Sequence, residues 1–364
     1  GAVAPHGPVM RQAGEEAAMR PVTVSLFSGG GGESVGKHLA FLELGVDAVS
    51  HAIDNWAIAC ETMAVNLPEV AVHCADLRQV TAATYGLSRI NLLWASPPCV
   101  HFSSARGGRS VDVHNNTRDY ALEVLDRWVR VAQVDVLLME NVPEFRDWGP
   151  LDDAGNPIKS RRGEYFTAYV QSLRDLGYEV EWRVLCAADY GDPTSRKRLI
   201  LQAARDGRGV SWPAPTHRDP KQPPALFTAP MPPWRTAAEC IDWTIPCPSI
   251  FDRKRPLAEA TQKRIATGLR RFLPNQRAYI LTIDHRSTEE TATSLELPLT
   301  TTTTKARHAL VAAFLTHYYS HGTNVRPAGS PLLTITTRDR HGLVTAEIDK
   351  ATCAIADIGL RMLE

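Results

Sequence analysis

Two side chains that could carry out chemistry stand at the ends of apolar segments. Residues 92–99 read LLWASPPC, an apolar run that stops at two prolines and then presents a single thiol. This pattern is typical of a buried strand that ends in a rigid turn. Residues 134–142 read VDVLLMENV, a second apolar run that ends in a carboxylic acid and an amide. Because a parallel sheet presents functional residues at the carboxyl ends of its strands, we expect Cys99 and Glu140 to lie at one edge.

Cys99 is a candidate nucleophile and Glu140 a candidate acid. The alternative for Cys99 is a small residue packed in the core. The segment 101–109, which follows the thiol, contains small residues, serines, a histidine and two arginines, so it can move and can contact phosphate. A second cationic segment is RKR at 196–198, which leads into the apolar strand predicted at 199–203. Three consecutive cationic side chains next to a buried strand cannot all be fully solvated at the surface. At least one is expected to point into a cleft.

A glycine-rich turn near the start of the ordered chain predicts a nucleotide-like ligand. The order is a strand at 22–27, the turn SGGGG at 28–32 and a helix at 33–44, which is the opening unit of a nucleotide-binding α/β domain. Neither register of the G-x-G-x-x-G fingerprint closes, because the third glycine position holds Ser34 or Val35. The glycines therefore permit close approach of a ligand to the backbone without specifying a pyrophosphate, which disfavours a nicotinamide dehydrogenase.

Acidic residues follow the next two predicted strands. Asp54, at the end of the strand at 47–53, is placed to accept hydrogen bonds from ribose hydroxyls. Trp56 would either stack on an adenine ring or pack in the core. Asp76 follows the strand beginning at residue 70, and it would either accept the adenine amino group or cap a helix.

Composition and charge limit the function classes. The chain has 364 residues, zero formal net charge and seven cysteines, with no C-x-x-C pair and no apolar run near the length of a membrane span. These features predict a soluble protein of a reducing, cytoplasmic compartment, with no membrane and no metal. Residues 250–345 hold 14 lysines and arginines against 7 acidic residues. A basic region on an acidic body suits a protein that binds a polyanion on one side.

The predicted organisation has four parts. Residues 1–20 form a disordered leader or tag, 21–215 a catalytic domain, 216–345 a smaller, basic, β-rich domain and 346–364 a return segment toward the catalytic domain. A proline-rich segment at 213–233 marks the change between the two domains. The basic domain contains one internal repeat, with residues 298–311 matching 331–344. The repeat predicts two strand-turn-strand units whose hydroxyls and cations either contact nucleic acid or serve only as a structural duplication.

Together these motifs resemble the DNA cytosine-5 methyltransferases, especially the bacterial and phage-type enzymes. The resemblance covers roughly residues 22–203 and rests on several short motifs in the family's order. The matching segments are LFSGGGG at 26–32, the acidic strand ends at Asp54 and Asp76, SPPC at 96–99, ENV at 140–142 and RKR at 196–198. The resemblance implies a doubly wound, mostly parallel sheet that binds S-adenosylmethionine, with a smaller target-recognition domain that binds double-stranded DNA.

The resemblance also implies roles for individual residues. The implied catalytic residues are Cys99, Glu140, Arg196 and Arg198, with the choice of arginine for the base left open. The implied cofactor contacts are Phe27, Ser28, Gly29, Gly31, Asp54, Asn55, Trp56, Asp76, Leu77 and Pro97. The implied DNA contacts are Ser103, Arg106, Arg109, Lys305, Arg307, Arg338 and Arg340. In this scheme a cytosine is flipped out of the duplex, Cys99 adds to the base and the methyl group is transferred to carbon 5, as in DNA methylation by restriction-modification systems.

Some positions depart from the family's pattern. Ser25 stands where the family usually has Asp, Asp54 where it has Glu and Thr194 where it has Gln. After residues 357–363 the last two family motifs are absent, so either the chain is truncated or a second polypeptide supplies them. The alternative function is a DNA-binding subunit or pseudoenzyme that is inactive without a partner chain, and RNA remains an alternative substrate.

Overall fold

The computed structural model describes residues 20–98, 119–221, 231–240, 242, 245, 248–272 and six further strand segments. The chain divides into two compact units, Gly1–Ser96 with Leu122–Leu138, and Pro97–Ala121 with Met139–Glu364. Within the described residues no helix is both long enough and apolar enough to cross a bilayer.

The first unit is built on parallel strands. Its elements are β1 (Val22–Leu26), α1 (Gly32–Leu44), β2 (Val49–Asp54), α2 (Ala57–Asn66), β3 (Val70–Cys74), a 3-10 turn (Ala82–Tyr85), β4 (Arg89–Ala95), α3 (Tyr120–Val124) and β5 (Gln133–Asn141), of which α3 and β5 cross the unit boundary. Strand β1 pairs in parallel with both β2 and β4, and β2 pairs in parallel with β3. The strands predicted at 22–27, at 47–53 and from residue 70, and the helix predicted at 33–44, are therefore present, with boundaries shifted by a few residues.

The α2 helix covers one face of this sheet. Met63 and Leu67 of α2 pack on Ala52 of β2, and all three are buried. Helix α1 ends at Gly45, whose φ of 65° is a left-handed conformation that glycine adopts at little cost.

The helical spacing of apolar residues at 119–134 predicts one helix with a core face made of Leu122, Leu125, Trp128, Val129 and Ala132. The helix observed there is shorter and less regular. Helix α3 runs into a π-helical turn, Leu125–Val129, where the Arg130 N–H donates to the carbonyl of Leu125 five residues earlier. Trp128 is fully buried, as predicted, but Leu122 is 40% exposed, so its assignment to the core face was wrong. The extra residue in the π turn rotates the following side chains relative to those of α3, which breaks the 3.6-residue periodicity used for the prediction.

The second unit continues from the end of β5. It contains 3-10 turns at Pro143–Asp147, Lys159–Arg161, Ala187–Tyr190 and Ala237–Cys240, helices α4 (Glu164–Asp175) and α5 (Glu259–Phe272), and the antiparallel pair β6 (Glu179–Cys186) and β7 (Lys197–Ala204). Hydrogen bonding orders the seven strands β3-β2-β1-β4-β5-β7-β6. This order, with one antiparallel pair at the end, confirms the predicted doubly wound, mostly parallel α/β sheet.

A second sheet of the second unit is largely antiparallel. Its strands are β8 (Tyr279–Thr282), β9 (Ala292–Ser294), β10 (His308–Val311), β11 (Phe314–His317), β12 (His341–Ile348) and β13 (Ile355–Leu363), in the order β13-β12-β11-β10-β8-β9. The two repeat copies contribute β10 and the start of β12, and Ala309 pairs in parallel with Gly342, the residue at the same position of the other copy. The threonine-rich parts of both copies lie outside the described residues, and the predicted domain boundaries stay a prediction.

Two histidines share a hydrogen bond between neighbouring strands of the first unit. The Nδ1 atom of His51 lies 3.1 Å from Nε2 of His73, and the ring of His73 stacks on Tyr85. Burial lowers the pKa of both imidazoles from 6.5, and for His51 the neighbouring His73 lowers it further. One ring nitrogen must donate and the other must accept. Protonation of both rings would therefore remove the hydrogen bond and place two imidazolium cations side by side.

We therefore expect this pair to make the fold sensitive to acid. The folded state binds protons less readily than the unfolded state, so the contribution is complete above about pH 6.5 and is lost as the pH falls below that value. The variant with His51→Asn and His73→Asn should lose less stability between pH 7.5 and pH 5 than the parent. Urea denaturation midpoints at the two pH values measure this. His38→Asn is the matched control, since His38 pairs with Glu69 near the surface; an equal reduction in that variant would contradict the assignment.

Candidate active site

A buried amide ties together two of the motifs singled out in the sequence. Asn141, at the end of β5, is fully buried, and its Nδ2 donates to the backbone carbonyl of Pro97 at 3.0 Å. Its Oδ1 accepts the N–H of Val142 at 2.9 Å. A buried side chain with both its amide groups paired is fixed in one orientation. The turn that precedes Cys99 and the strand end that carries Glu140 are thus joined by a hydrogen bond.

Glu140 is held by the RKR segment. Oε1 of Glu140 lies 2.6 Å from Nε of Arg198 and 3.5 Å from Nη2 of Arg196. Arg198 is the less exposed of the two, at 13% against 32%. The prediction that at least one of the three cations points inward agrees with this geometry. Two guanidinium groups therefore lie beside the Glu140 carboxylate, and the role of Glu140 as an acid stays a prediction.

Several predicted site residues lie outside the described part of the chain. These are the candidate nucleophile Cys99 and the DNA-contact candidates Ser103, Arg106, Arg109, Lys305, Arg307, Arg338 and Arg340. Their roles stay predictions.

The glycine turn of the first unit is organised by one carboxylate. Asp54, at the end of β2, accepts the N–H of Gly29 at 2.8 Å through Oδ2 and the N–H of Trp56 at 2.9 Å through Oδ1. Phe27 has a φ of 57°, an uncommon conformation for a residue other than glycine. Each carboxylate oxygen of Asp54 keeps a second lone pair, so the side chain can still accept hydroxyl groups.

Two features of this turn fit a bound ligand. The Ser28 hydroxyl is buried and has no hydrogen-bonding partner among the residues that the structure describes, which is costly unless a bound molecule supplies one. At Gly31, a Cβ atom would lie 2.8 Å from the terminal methyl of Met63, and φ is 90°. Glycine is therefore favoured there by its backbone conformation and by packing against α2, and the turn carries no side chain at this position. A donor with hydroxyl, amino and carboxyl groups, such as S-adenosylmethionine, suits these residues.

The remaining predicted cofactor contacts differ in what is available to a ligand. Trp56 is 46% exposed, so its ring is not packed in the core. Asn55 is also exposed, whereas the Leu77 side chain is buried, which leaves only its backbone for a contact. Asp76 binds its neighbour Arg78 through the guanidinium and the backbone N–H. The hydrogen bond from the Arg78 side chain is the main cause that lowers the pKa of Asp76. Asp76 thus holds a turn at 77–79 and does not cap a helix, and its contact with an adenine stays a prediction.

A buried polar cluster beneath the turn was not anticipated. Ser25 Oγ accepts a hydrogen bond from Lys37 Nζ at 2.5 Å and lies 3.2 Å from Ser34 Oγ. The Lys37 ammonium is 3.6 Å from Glu33, and both side chains are almost buried. Burial lowers the pKa of Lys37, while Glu33 acts in the opposite direction. In the sequence Lys37 looks like a surface residue of an amphipathic helix, and the departure at Ser25 was the one signal that could have pointed to it.

Comparison with known proteins decides the family. Residues 22–298 match the family described as C-5 cytosine-specific DNA methylase. The chain belongs to this family. The resemblance and the enzyme class predicted from the motifs are thereby confirmed. No cluster of three or more potential metal ligands occurs among the described residues of this DNA methylase.

Individual relatives agree with the family match. The chain is 30% identical to Type II methyltransferase M.AquIA of Picosynechococcus sp. over 243 residues. The alignment covers 63% of this chain and 90% of that protein. It is 30% identical over 210 residues to Type II methyltransferase M.SacI of Streptomyces achromogenes, covering 53% and 50%. A solved structure of a Spodoptera frugiperda DNMT2 mutant is 19% identical to this chain. The superposition covers 69% of this chain and 80% of that chain, with a TM-score of 0.44. The alignment thus spans nearly all of the first relative and half of the second.

We expect the Lys37→Met variant of this DNA methylase to be less stable by about 3 kcal/mol, because it leaves the Glu33 carboxylate nearly buried without its counter-charge. The double variant Glu33→Gln with Lys37→Met should regain most of the loss, because it removes both charges. Chemical denaturation monitored by tryptophan fluorescence measures both. A single variant as stable as the parent would show that the ion pair is not buried.

Proposed function

We propose that this protein transfers a methyl group from S-adenosylmethionine to carbon 5 of a flipped-out cytosine in a specific DNA sequence, through a covalent adduct with Cys99. The geometry that supports the proposal is the Glu140–Arg198 pair on a strand end that Asn141 ties to Pro97, two residues before Cys99. A nucleophile, an acid and a guanidinium are what attack on a pyrimidine ring requires.

The residues act on the base in a defined order. The Cys99 thiolate adds to carbon 6, which converts carbon 5 into the nucleophilic carbon of an enamine. Glu140 holds a proton at ring nitrogen 3 and accepts a hydrogen bond from the 4-amino group, which distinguishes cytosine from thymine. After methylation a base removes the proton from carbon 5, the bond from sulfur to carbon 6 breaks, and Cys99 leaves. These atoms are inaccessible in a stacked duplex, so the cytosine must be extruded first.

The two arginines have different tasks in this proposal. Arg198 is the positioning residue for the Glu140 carboxyl group, to which its Nε is hydrogen-bonded. Arg196, which is more exposed and lies farther from Glu140, binds the carbonyl oxygen of the base or a flanking phosphate. This division addresses the choice between them that the sequence leaves open.

The residues of the first unit hold the methyl donor. Asp54 binds the ribose hydroxyls, Trp56 stacks on the adenine and Ser28 donates to or accepts from the polar groups of the donor. When bound, S-adenosylmethionine supplies an electrophilic methyl group on a sulfonium. The basic part of the chain at 250–345 binds the DNA backbone.

Substitution of Cys99 by Ser should lower the rate of methyl transfer at least about 10³-fold, because the hydroxyl is a far poorer nucleophile at neutral pH. The readout is methylation of a duplex library by the purified chain, followed by bisulfite sequencing. Cys240→Ser is the matched control, since Cys240 is an exposed thiol outside the proposed site.

Three outcomes of the methylation assay and of a trapping experiment would contradict parts of the proposal or favour the alternative. Retained turnover in Cys99→Ser would contradict the nucleophile. Methylation of RNA in place of DNA would contradict the substrate. A parent chain that traps a duplex containing 5-fluorocytosine through Cys99 only when a second polypeptide is added would favour the split-enzyme alternative.

Arg198→Lys should reduce the single-turnover rate more than Arg196→Lys, by about 10- to 100-fold, because a hydrogen bond to a charged group contributes about 1.5–3 kcal/mol. Lysine keeps the charge but cannot reproduce the guanidinium geometry at Glu140. Rates under saturating donor and DNA measure the difference. Equal losses in the two variants would contradict the assignment of Arg198 to Glu140.

A further inference from the structure

Two cysteines of the first unit flank the peptide carbonyl of Asp54. Cys74, the last residue of β3, lies opposite Asp54 in the parallel pairing with β2. Cys60, in α2, directs its Sγ to the Asp54 carbonyl at 3.5 Å, and the N–H of Ala75 donates to the same oxygen at 2.8 Å. One backbone oxygen thus collects contacts from both segments that carry the thiols.

The two thiols differ in their exposure to solvent. Burial and a hydrogen bond with Cys74 raise the pKa of the Cys60 thiol to about 11. Cys60 is buried, whereas Cys74 is exposed. No set of three or more metal-binding side chains is found in the described part of the chain, so the pair is not one edge of a conventional metal centre there.

We propose that Cys60 and Cys74 form an oxidation site that closes to a disulfide with hydrogen peroxide and thereby weakens binding of the methyl donor. The exposed Cys74 thiolate attacks one peroxide oxygen and the O–O bond breaks, which gives a sulfenic acid and hydroxide. The hydroxide takes up the proton that the Cys74 thiol released and becomes water. The Cys60 thiol then attacks the oxidised sulfur, the S–O bond breaks, and a second water leaves as the S–S bond forms. Two thiols are oxidised by two electrons and one peroxide is reduced to two waters.

The effect on the donor rests on the proposed function and follows from the position of Asp54. A disulfide bond of about 2.05 Å is shorter than any hydrogen-bonded contact between two sulfur atoms, so α2 and the end of β3 must move together. Helix α2 begins directly after Trp56, whose N–H is held by the Asp54 carboxylate. The bond also removes the Cys60 S–H from the Asp54 carbonyl. Both changes act on the side chain that anchors the glycine turn through Gly29.

The chemical test uses the full chain in a Cys99→Ser background, so that oxidation of the proposed nucleophile does not enter the measurement. After treatment with hydrogen peroxide and blocking of free thiols, both cysteines fall in one tryptic peptide, residues 38–78. A disulfide lowers its mass by about 2 Da, the mass of two hydrogens, and cleavage after Glu61 and Glu69 leaves two peptides joined through sulfur. Blocked, unlinked Cys60 and Cys74 in the oxidised protein would overturn the proposed site.

The binding test compares the affinity for S-adenosylmethionine, by calorimetry, before and after oxidation. We expect an affinity about 10-fold weaker in the oxidised protein, restored by dithiothreitol, and no change in Cys74→Ser. Cys240→Ser, the control with another exposed thiol removed, should behave like its background. A linked peptide with unchanged affinity would overturn the coupling but leave the proposed function intact. A reduced protein that binds no donor would overturn both the coupling and the proposed donor site.

Discussion

In the second unit, one hydrogen bond from the buried Asn141 amide connects the double-proline turn to the strand end that carries Glu140. The Asn141 side chain can donate to the Pro97 carbonyl and accept from Val142 only because it carries both an N–H and a carbonyl oxygen. An aspartate there would set an oxygen against the Pro97 carbonyl, and an apolar residue would leave that carbonyl unpaired. The position of Glu140 relative to the double-proline turn therefore depends on the neighbour of the acid as much as on the acid itself.

Carboxylates at or near strand ends hold parts of the candidate site together through contacts within the protein. Asp54 joins the glycine turn to the start of α2 by accepting two backbone N–H groups. Asp76 is engaged by Arg78, and Glu140 by Arg198. In each case the anion is paired within its own unit, which limits the cost of placing charge at a partly buried edge. Such pairing also sets the direction of the remaining lone pairs.

Sequence patterns predicted the elements better than the contacts. The apolar runs of β1, β4 and β5 identify strands because their side chains are buried on the sheet. The acids at or just after the ends of β2, β3 and β5, which are Asp54, Asp76 and Glu140, follow from the topology of a parallel sheet. The π-helical turn after Val124 could not be read from hydrophobic periodicity, because the pattern assumes a constant 3.6 residues per turn. The role of Asn141 was also hidden, since its partner lies 44 residues away in the chain. Ala309 of the first repeat copy pairs in the sheet with Gly342 of the second copy. The similarity of the two sequences alone does not imply that the two copies are neighbours in the sheet.

The departure at Ser25 shows how a local exchange can be balanced elsewhere. The family usually places a carboxylate at this position of β1, whereas here the strand carries a hydroxyl. The negative charge stands instead on Glu33, in the first turn of α1, and Lys37 one turn later contacts both Ser25 and Glu33. An acid in the first turn of a helix also interacts favourably with the helix dipole. A buried lysine needs such a partner, so Ser25, Glu33 and Lys37 act as one unit, and exchanging any one of them alone leaves a buried polar group without its partner.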